Sequence, residues 1–163
     1  MAVSRESYME LGRSLAGAVA VVAAMERGTE AIIGLTVSSF VSLSLDPPLV
    51  MFAIQHDANS YPGIVASKCF GVSVLGTHQA EVARRFAIKG AHKAADTAIG
   101  RGVELPVPLV ADSLAHVECS TSQIIVGGDH AIVVGRVEAV RVYPGKPLVY
   151  YERTFGSFAP FVA

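Results

Sequence analysis

The chain has 163 residues and a mass of 17.1 kDa, a length that suits one compact domain spanning residues 1–163. Hydrophobic residues make up 52% and charged residues 17%, against a usual charged share of about 25%, so intrinsic disorder is excluded and much of the chain must be buried. The 13 Lys and Arg against 14 Asp and Glu give a net charge of −1. That leaves no basic field for nucleic acid or an anionic membrane, and any site that reads charge must be local.

The mean hydropathy of +0.47 raises the question of a membrane span. The best apolar stretch, residues 15–25, falls short of the roughly 20 residues that a spanning helix needs. Arg5, Glu6, Glu10 and Arg13 precede it without a small-residue cleavage pattern, so the expectation is a cytoplasmic protein with no membrane association. Cys69 and Cys119 are far apart and fit neither CxxC nor a Cys/His zinc pattern; they read as buried free thiols.

Taken in chain order, residues 4–15 form a short amphipathic helix with Tyr8, Leu11 and Leu15 on one face. Residues 18–25 and 31–41 are rich in Val, Ile and Ala and flank the polar turn 26–30, the pattern of a β-hairpin. A strand at 49–55 follows Pro47 and Pro48, then come a short helix at 60–67, a strand at 70–75 and a helix at 78–88 capped by Thr77. Residues 89–108, with Gly90, Gly100, Gly102, Pro106 and Pro108, read as an irregular excursion, and its cations Lys89, His92, Lys93 and Arg101 have no assigned place. Strands resume at 115–126 and 131–143, divided by Gly127, Gly128, Asp129 and His130, and a last one lies at 148–151. Six or seven strands at hairpin spacing with few helices favour an antiparallel barrel over a doubly wound sheet.

Side chains alternate between the two faces of a strand. Ile33, Leu35, Val37 and Val41 therefore share one face, and Gly34, Thr36, Ser38, Phe40 and Ser42 share the other. Such a row of small and hydroxyl groups lets a flat ligand approach the backbone, and it equally describes an ordinary outer face with Gly at a bend. Asn59 or Ser60 either caps a helix or presents its free N–H groups to a phosphate. Arg84, Arg85 and Phe86 supply charge and an aromatic surface; Glu81 pairs with Arg85 at i, i+4, which leaves Arg84 without a partner. His130, beside Asp129 after two glycines, stands at a turn that another molecule can approach. His116 and Glu118 share a face and read as a cross-strand polar pair rather than a metal site. No GxSxG, HExxH, P-loop or GxGxxG is present in its required context, so enzymatic chemistry here would be carried by an organic cofactor.

The run from Gly34 through Thr36, Val37, Ser38, Ser39, Phe40, Val41 and Ser42 to Asp46, Pro47 and Pro48 resembles the signature of the short-chain flavin reductases that serve two-component monooxygenases. In the same order and spacing follow Phe70, Gly71 and Val72, then Arg85, Phe86 and Ala87, then His116, Val117, Glu118 and Cys119, then Gly128, Asp129 and His130, then Gly135, Arg136 and Val137. The resemblance covers about residues 7–158. It implies a mainly β, Greek-key-like split β-barrel with a few short flanking helices, a homodimer, and transfer of a hydride from NADH or NADPH to FAD or FMN for a partner monooxygenase. By position, Thr36, Val37, Ser38, Ser39 and Phe40 would line the isoalloxazine with Ser42 nearby. Ala53, Asn59 and Ser60 would flank the ribityl and phosphate part, and Arg84, Arg85 and Phe86 would complete the flavin site. His130, as the catalytic position, would face the nicotinamide with Tyr151 and Arg153, although Glu152 stands where relatives often carry Arg and Gly. Two further readings are a flavin-dependent reductase of a corrinoid or metal, and a non-catalytic flavin- or haem-binding split barrel.

Overall fold

A computed structural model describes residues 3–90 and 93–161; His92 lies outside the described residues. Helix α1 (Arg5–Ser14) is followed by β1 (Gly17–Ala18), β2 (Ala20–Met25), β3 (Ile32–Val37), β4 (Val41–Ser44) and β5 (Leu49–Gln55). Helix α2 (Tyr61–Ala66), β6 (Cys69–Val74), a 3₁₀ turn (Thr77–Gln79) and α3 (Ala80–Ala87) come next. A small ribbon of β7 (Ile99–Arg101) and β8 (Pro108–Val110) precedes the long hairpin β9 (Ala115–Gly127) and β10 (His130–Val142), and the chain closes with β11 (Leu148–Tyr151) and β12 (Thr154–Ser157). Seven antiparallel strands in the order β3-β2-β6-β9-β10-β5-β4 make the main sheet, while β1, β11 and β12 form a second. No helix among the described residues is long and apolar enough to cross a membrane.

The sheet closes on itself through a chain connection. Its two edge strands, β3 and β4, are consecutive in sequence and only Ser38, Ser39 and Phe40 separate them. The expected single strand over 31–42 is thus two strands on opposite edges, and the alternation that put Phe40 and Ser42 on one face with Thr36 breaks at this crossover. Phe40 packs against the barrel core, and Ser42 lies exposed on β4 opposite Val50.

The surplus of apolar residues is explained by β2, which is buried on both faces. Ala20, Val22 and Ala24 face the barrel interior with Phe52, Ile54, Phe70 and Val133, whereas Val19, Val21 and Ala23 face an outer cluster with Ala83, Phe86, Val110 and Leu148. Helix α3 and strands β8 and β11 cover that outer side. Phe52 and Phe70 meet edge-on at 5.4 Å inside the barrel, where a Cβ at Gly135 would come within 2.4 Å of Phe70. Fully burying one such side chain contributes about 1.5–3 kcal/mol. Cys119 lies in this interior as a free thiol, its pKa pushed up to about 12 by burial; Cys69, also free, is half-buried.

Two local expectations change. Thr77 does not cap a helix: a 3₁₀ turn intervenes, and Gln79 instead accepts from the Gly76 N–H at 3.0 Å and donates to the Ala111 carbonyl at 2.8 Å. His116 and Glu118 do not pair with each other, because His116 bonds strand β8 and Glu118 holds the excursion that precedes it. His116 Nε2 bonds the Val110 carbonyl at 2.7 Å, and the Glu118 carboxylate accepts the backbone N–H groups of Val103, Glu104 and Leu105 at 2.7–2.8 Å.

Glu118 is almost fully buried. Burial pushes its pKa up, but the N–H donors of Val103, Leu105 and Glu104, with the charge of Arg141, outweigh that and hold the carboxyl below its ordinary value of 4.5. Its contribution to stability is therefore fully present above 4.5 and is lost as pH falls through the lower folded-state pKa. We expect Glu118→Gln to lower stability by about 1–3 kcal/mol at neutral pH, since a carboxamide NH₂ faces backbone donors. In urea titrations the gap between the two proteins should narrow on acidification, and a gap constant with pH would refute the ionic anchoring.

Candidate functional site

Strand β4 pairs with β5 only as far as Met51, so the upper half of β5 presents an open edge to the end of β3. One hydroxyl bridges this split: Ser39 Oγ accepts the Ala53 N–H at 3.0 Å and lies 3.4 Å from the Ala53 carbonyl. The cleft that remains, about 370 Å³, is walled by Leu35, Thr36, Val37, Ser38 and Ser39 on one side and by Ala53, Ile54 and Gln55 on the other. Asn59, Ser60, Phe86, Lys93 and His130 complete it.

The docking of α3 fixes one wall. Gly34 lets the helix approach, since a Cβ there would sit 2.9 Å from both Phe86 Cε1 and the Val22 carbonyl. Thr36 Oγ1 donates to the Ala83 carbonyl at 2.7 Å. The small residues of this strand thus serve helix packing and the cleft together, and the hydroxyl protons of Thr36 and Ser39 are already engaged. What the crossover offers a ligand is backbone: the N–H groups of Ser38, Ser39 and Phe40 take no part in any hydrogen bond among the described residues.

At its upper end the cleft opens into a second groove of about 670 Å³, with which it shares Thr36, Val37, Ser38 and Ala87. Arg84, Tyr150, Arg153 and Phe155 line this groove. The expected pairing of the α3 arginines is reversed. Arg84 pairs with Glu81 and lies over the Phe155 ring at 5.4 Å, whereas Arg85 turns away from the cleft and donates to the Ala95 carbonyl and, at 3.0 Å, to Thr97 Oγ1. Arg85 therefore fastens the excursion to the helix.

His130 opens β10 across the two-residue turn Gly128 and Asp129, with Gly128 at φ 68°. Its Nδ1 donates to Asp129 Oδ1 at 2.6 Å, which leaves Nε2 to act on a ligand, and that bond holds the Asp129 carboxyl below the usual carboxylate range. Ser60 stands at the N-cap of α2 without making a capping bond. Its Oγ is one of two buried side-chain polar atoms without a partner among the described residues, the other being His56 Nε2.

The chain thus gathers Thr36, Val37, Ser38, Ser39, Ala53, Asn59, Ser60, Phe86 and His130 at one cleft, and Arg84 with Arg153 in the adjoining groove. Phe40, Ser42, Arg85 and Tyr151 line neither. Sequence reasoning missed Tyr150, Phe155 and Lys93. Strand parity with buried Leu148 identifies Tyr150 as the inward neighbour of Tyr151, while Phe155 lies on a strand that was not foreseen and Lys93 lies in the excursion, where no periodicity exists to read. Glu152 and Arg153 form the β11–β12 turn with φ of 47° and 62°, a left-handed pair that explains why Gly is at home there.

We expect Gly34→Ala to displace α3 and to cost about 1–3 kcal/mol of stability. Thermal melts would check this, and an unchanged melting temperature would refute the close-approach role of Gly34.

Residues 11–159 match the flavin reductase like domain family. The chain is 34% identical over 161 residues to the NADH:riboflavin 5′-phosphate oxidoreductase of Streptomyces pristinaespiralis, covering 98% of this chain and 91% of the relative. It is 38% identical over 152 residues to the reductase component of 4-hydroxyphenylacetate 3-monooxygenase of Thermus thermophilus, covering 93% and 95%. Among solved structures, an NADH:FAD oxidoreductase of Streptomyces globisporus in complex with NAD and FAD fragments superposes with a TM-score of 0.88 at 31% identity, covering 98% of both chains. With the barrel, its split and the cleft between β3 and β5 described, the match fixes the lineage: the chain belongs to the flavin reductase-like family.

Proposed function

We propose that the protein is an NAD(P)H:flavin oxidoreductase, with NADH and FAD as the favoured pair and FMN and NADPH as the alternatives, which supplies reduced flavin to a separate monooxygenase. The observation that carries this reading is a cleft with unpartnered donors that adjoins, across Thr36, Val37 and Ser38, a groove lined by Arg84, Tyr150 and Arg153. The residues fit a flavin. Leu35, Val37 and Phe86 offer apolar wall, the crossover N–H groups offer donors, and the buried Ser60 Oγ lacks a partner.

When bound, the flavin supplies the redox chemistry, accepting a hydride from reduced nicotinamide. The chain's own part is positioning, which is where most of the barrier reduction for two stacked rings arises. The N–H groups of Ser38, Ser39 and Phe40 would offer donors to negative charge on the rim of a bound ring. His130, with its tautomer fixed by Asp129, orients the nicotinamide through Nε2. Arg153 and Arg84 offer positive charge to the rest of the dinucleotide, and Tyr150 a surface for stacking.

We also propose a homodimer. Helix α1 buries none of its side chains, and Tyr8, Leu11 and Leu15 are 69%, 53% and 64% exposed on the face that the sequence marks as apolar. A second copy is the occupant that a small chain with few charges supports best. Light scattering at micromolar concentration should give twice the 17.1 kDa chain mass; the mass of one chain would refute it.

The deciding assay mixes the protein with NADH or NADPH and FAD or FMN and follows nicotinamide oxidation. Flavin-dependent turnover is expected, fastest with NADH, and its absence with every pair would favour a non-catalytic flavin-binding role. His130→Ala should raise the KM for nicotinamide about tenfold or more, the loss of one good hydrogen bond, with little change in flavin Kd. An equal loss of both would refute the assignment of His130.

A further inference from the structure

The molecule carries another hollow, which shares no lining residue with the cleft or the groove that adjoins it. Its volume is about 710 Å³, inside the range of about 300–1,000 Å³ usual for small-molecule sites. It lies where the β7–β8 ribbon and the loop after β10 meet the start of β9, whereas His130 stands at the opposite end of β10.

Three cations line it: Arg101 from β7, Arg141 from β10 and Lys146 from the following loop. None of them makes an ion pair or a side-chain hydrogen bond among the described residues, whereas Arg84, Arg85, Lys89 and Lys93 all have partners. Asp112 is the one acid that lines the hollow with them. The charge of Arg141 is felt at Glu118, but both oxygens of that carboxylate are already taken, Oε1 by the Val103 N–H and Oε2 by those of Glu104 and Leu105. In a chain whose net charge is −1, this is a local excess of unpaired positive charge.

The walls are fixed from within the fold. Arg141 and His116 are directly opposed in the β9–β10 ladder and therefore share one face of the sheet. The His116 ring meets Tyr143 edge-on at 5.5 Å, and the Tyr143 N–H donates to the Leu114 carbonyl at 2.7 Å. A tyrosine ring that is 43% exposed is thus held as a platform on which a flat group can stack. Gly145 lets the next loop press onto Leu114, since a Cβ there would lie 2.4 Å from Leu114 Cδ2, and the Lys146 carbonyl accepts the Thr77 N–H at 3.0 Å. Polar atoms of the floor satisfy one another: the Val110 carbonyl accepts the Ser113 hydroxyl at 3.0 Å and bonds His116 Nε2 at 2.7 Å. The N–H groups of Asp112 and Ser113, by contrast, take part in no hydrogen bond among the described residues.

We propose that this hollow binds a hydroxylated aromatic carboxylate, at a site separate from that of hydride transfer. Arg141 and Lys146 take the carboxylate through charge-assisted hydrogen bonds. The ring stacks on Tyr143 beside the apolar side chains of Leu109 and Leu114. Asp112 accepts from the hydroxyl of the ligand. That same acid repels a dianionic phosphate and favours a single negative charge that comes with a hydrogen-bond donor.

The test is calorimetric titration of 4-hydroxybenzoate, benzoate, 4-hydroxybenzamide and inorganic phosphate into wild type, Arg141→Gln and Lys146→Gln, with and without FAD, and with thermal melts as a control for folding. Wild type should bind 4-hydroxybenzoate with a Kd below about 1 mM, and FAD should leave that value unchanged. Each substitution should raise it about tenfold, the loss of one charge-assisted hydrogen bond. The uncharged amide and phosphate should bind at least about tenfold more weakly than 4-hydroxybenzoate, and benzoate about threefold more weakly. Should Arg141→Gln lower the melting temperature through Glu118, Lys146→Gln decides. No binding to wild type by about 10 mM, displacement by FAD, unchanged affinity in the variants, or an amide that binds as well as the acid would each overturn the proposal. Phosphate binding as tightly as 4-hydroxybenzoate would overturn the aromatic assignment. NADH oxidation enters none of these readouts, so the failure of the reductase reading and the failure of this site are separate results.

Discussion

The burial of β2 on both of its faces is the constraint from which the rest of the architecture follows. A strand of Val and Ala with no polar face cannot bound a barrel open to water, so a second layer must cover it. Helix α3, the β7–β8 ribbon and β11 provide that layer. Because α3 must sit low on β2 and β3 to seal Val21 and Ala23, the strand beneath has Gly34, and Thr36 ties to the helix carbonyl. The covering layer in turn sets Phe86 as a wall of the cleft and carries Arg84 to the groove. Core packing and ligand geometry are here one problem solved by one helix.

The split in the barrel has a comparable economy. A closed barrel would satisfy every backbone group by strand pairing. This one leaves the upper edge of β5 and the N–H groups of the crossover without strand partners, and replaces full pairing with a single serine hydroxyl. Open backbone donors at the foot of an apolar slot suit a ligand that is flat and apolar on its faces and polar along its rim. The described part of the excursion is tied to Arg85 through Ala95 and Thr97 and to Glu118 through residues 103–105, so it forms an outer wall, and Lys93 reaches the cavity from it.

Much of the fold was legible from residue patterns. Strand 49–55 was read to its ends, the long hairpin with its turn before His130 within a residue, and the barrel from strand count and spacing. Alternation failed at Ser38, Ser39 and Phe40, because the period of two is a property of a continuing strand and the chain there changes edge. It failed again at Thr77, where a capping residue precedes a 3₁₀ turn and Gln79 reaches farther to do the bonding. The residues of the cleft were legible mainly through family resemblance, which weighs order and spacing along the whole chain. Lys93 escaped because a residue in an irregular segment has no phase, and its position depends on tertiary tethers many residues away. The reversal of Arg84 and Arg85 has a similar origin. Helical spacing allowed Glu81 either partner, and the Ala95 carbonyl and Thr97, invisible to helix periodicity, took Arg85.

The crossover between β3 and β4 has only three residues, and one of them is pinned to β5 while another is packed into the core. Such a segment has almost no conformational freedom left to lose when a molecule settles against it. Ligands that differ where they meet the crossover therefore find a rigid template, and they are sorted by shape rather than by how far the wall can bend to them.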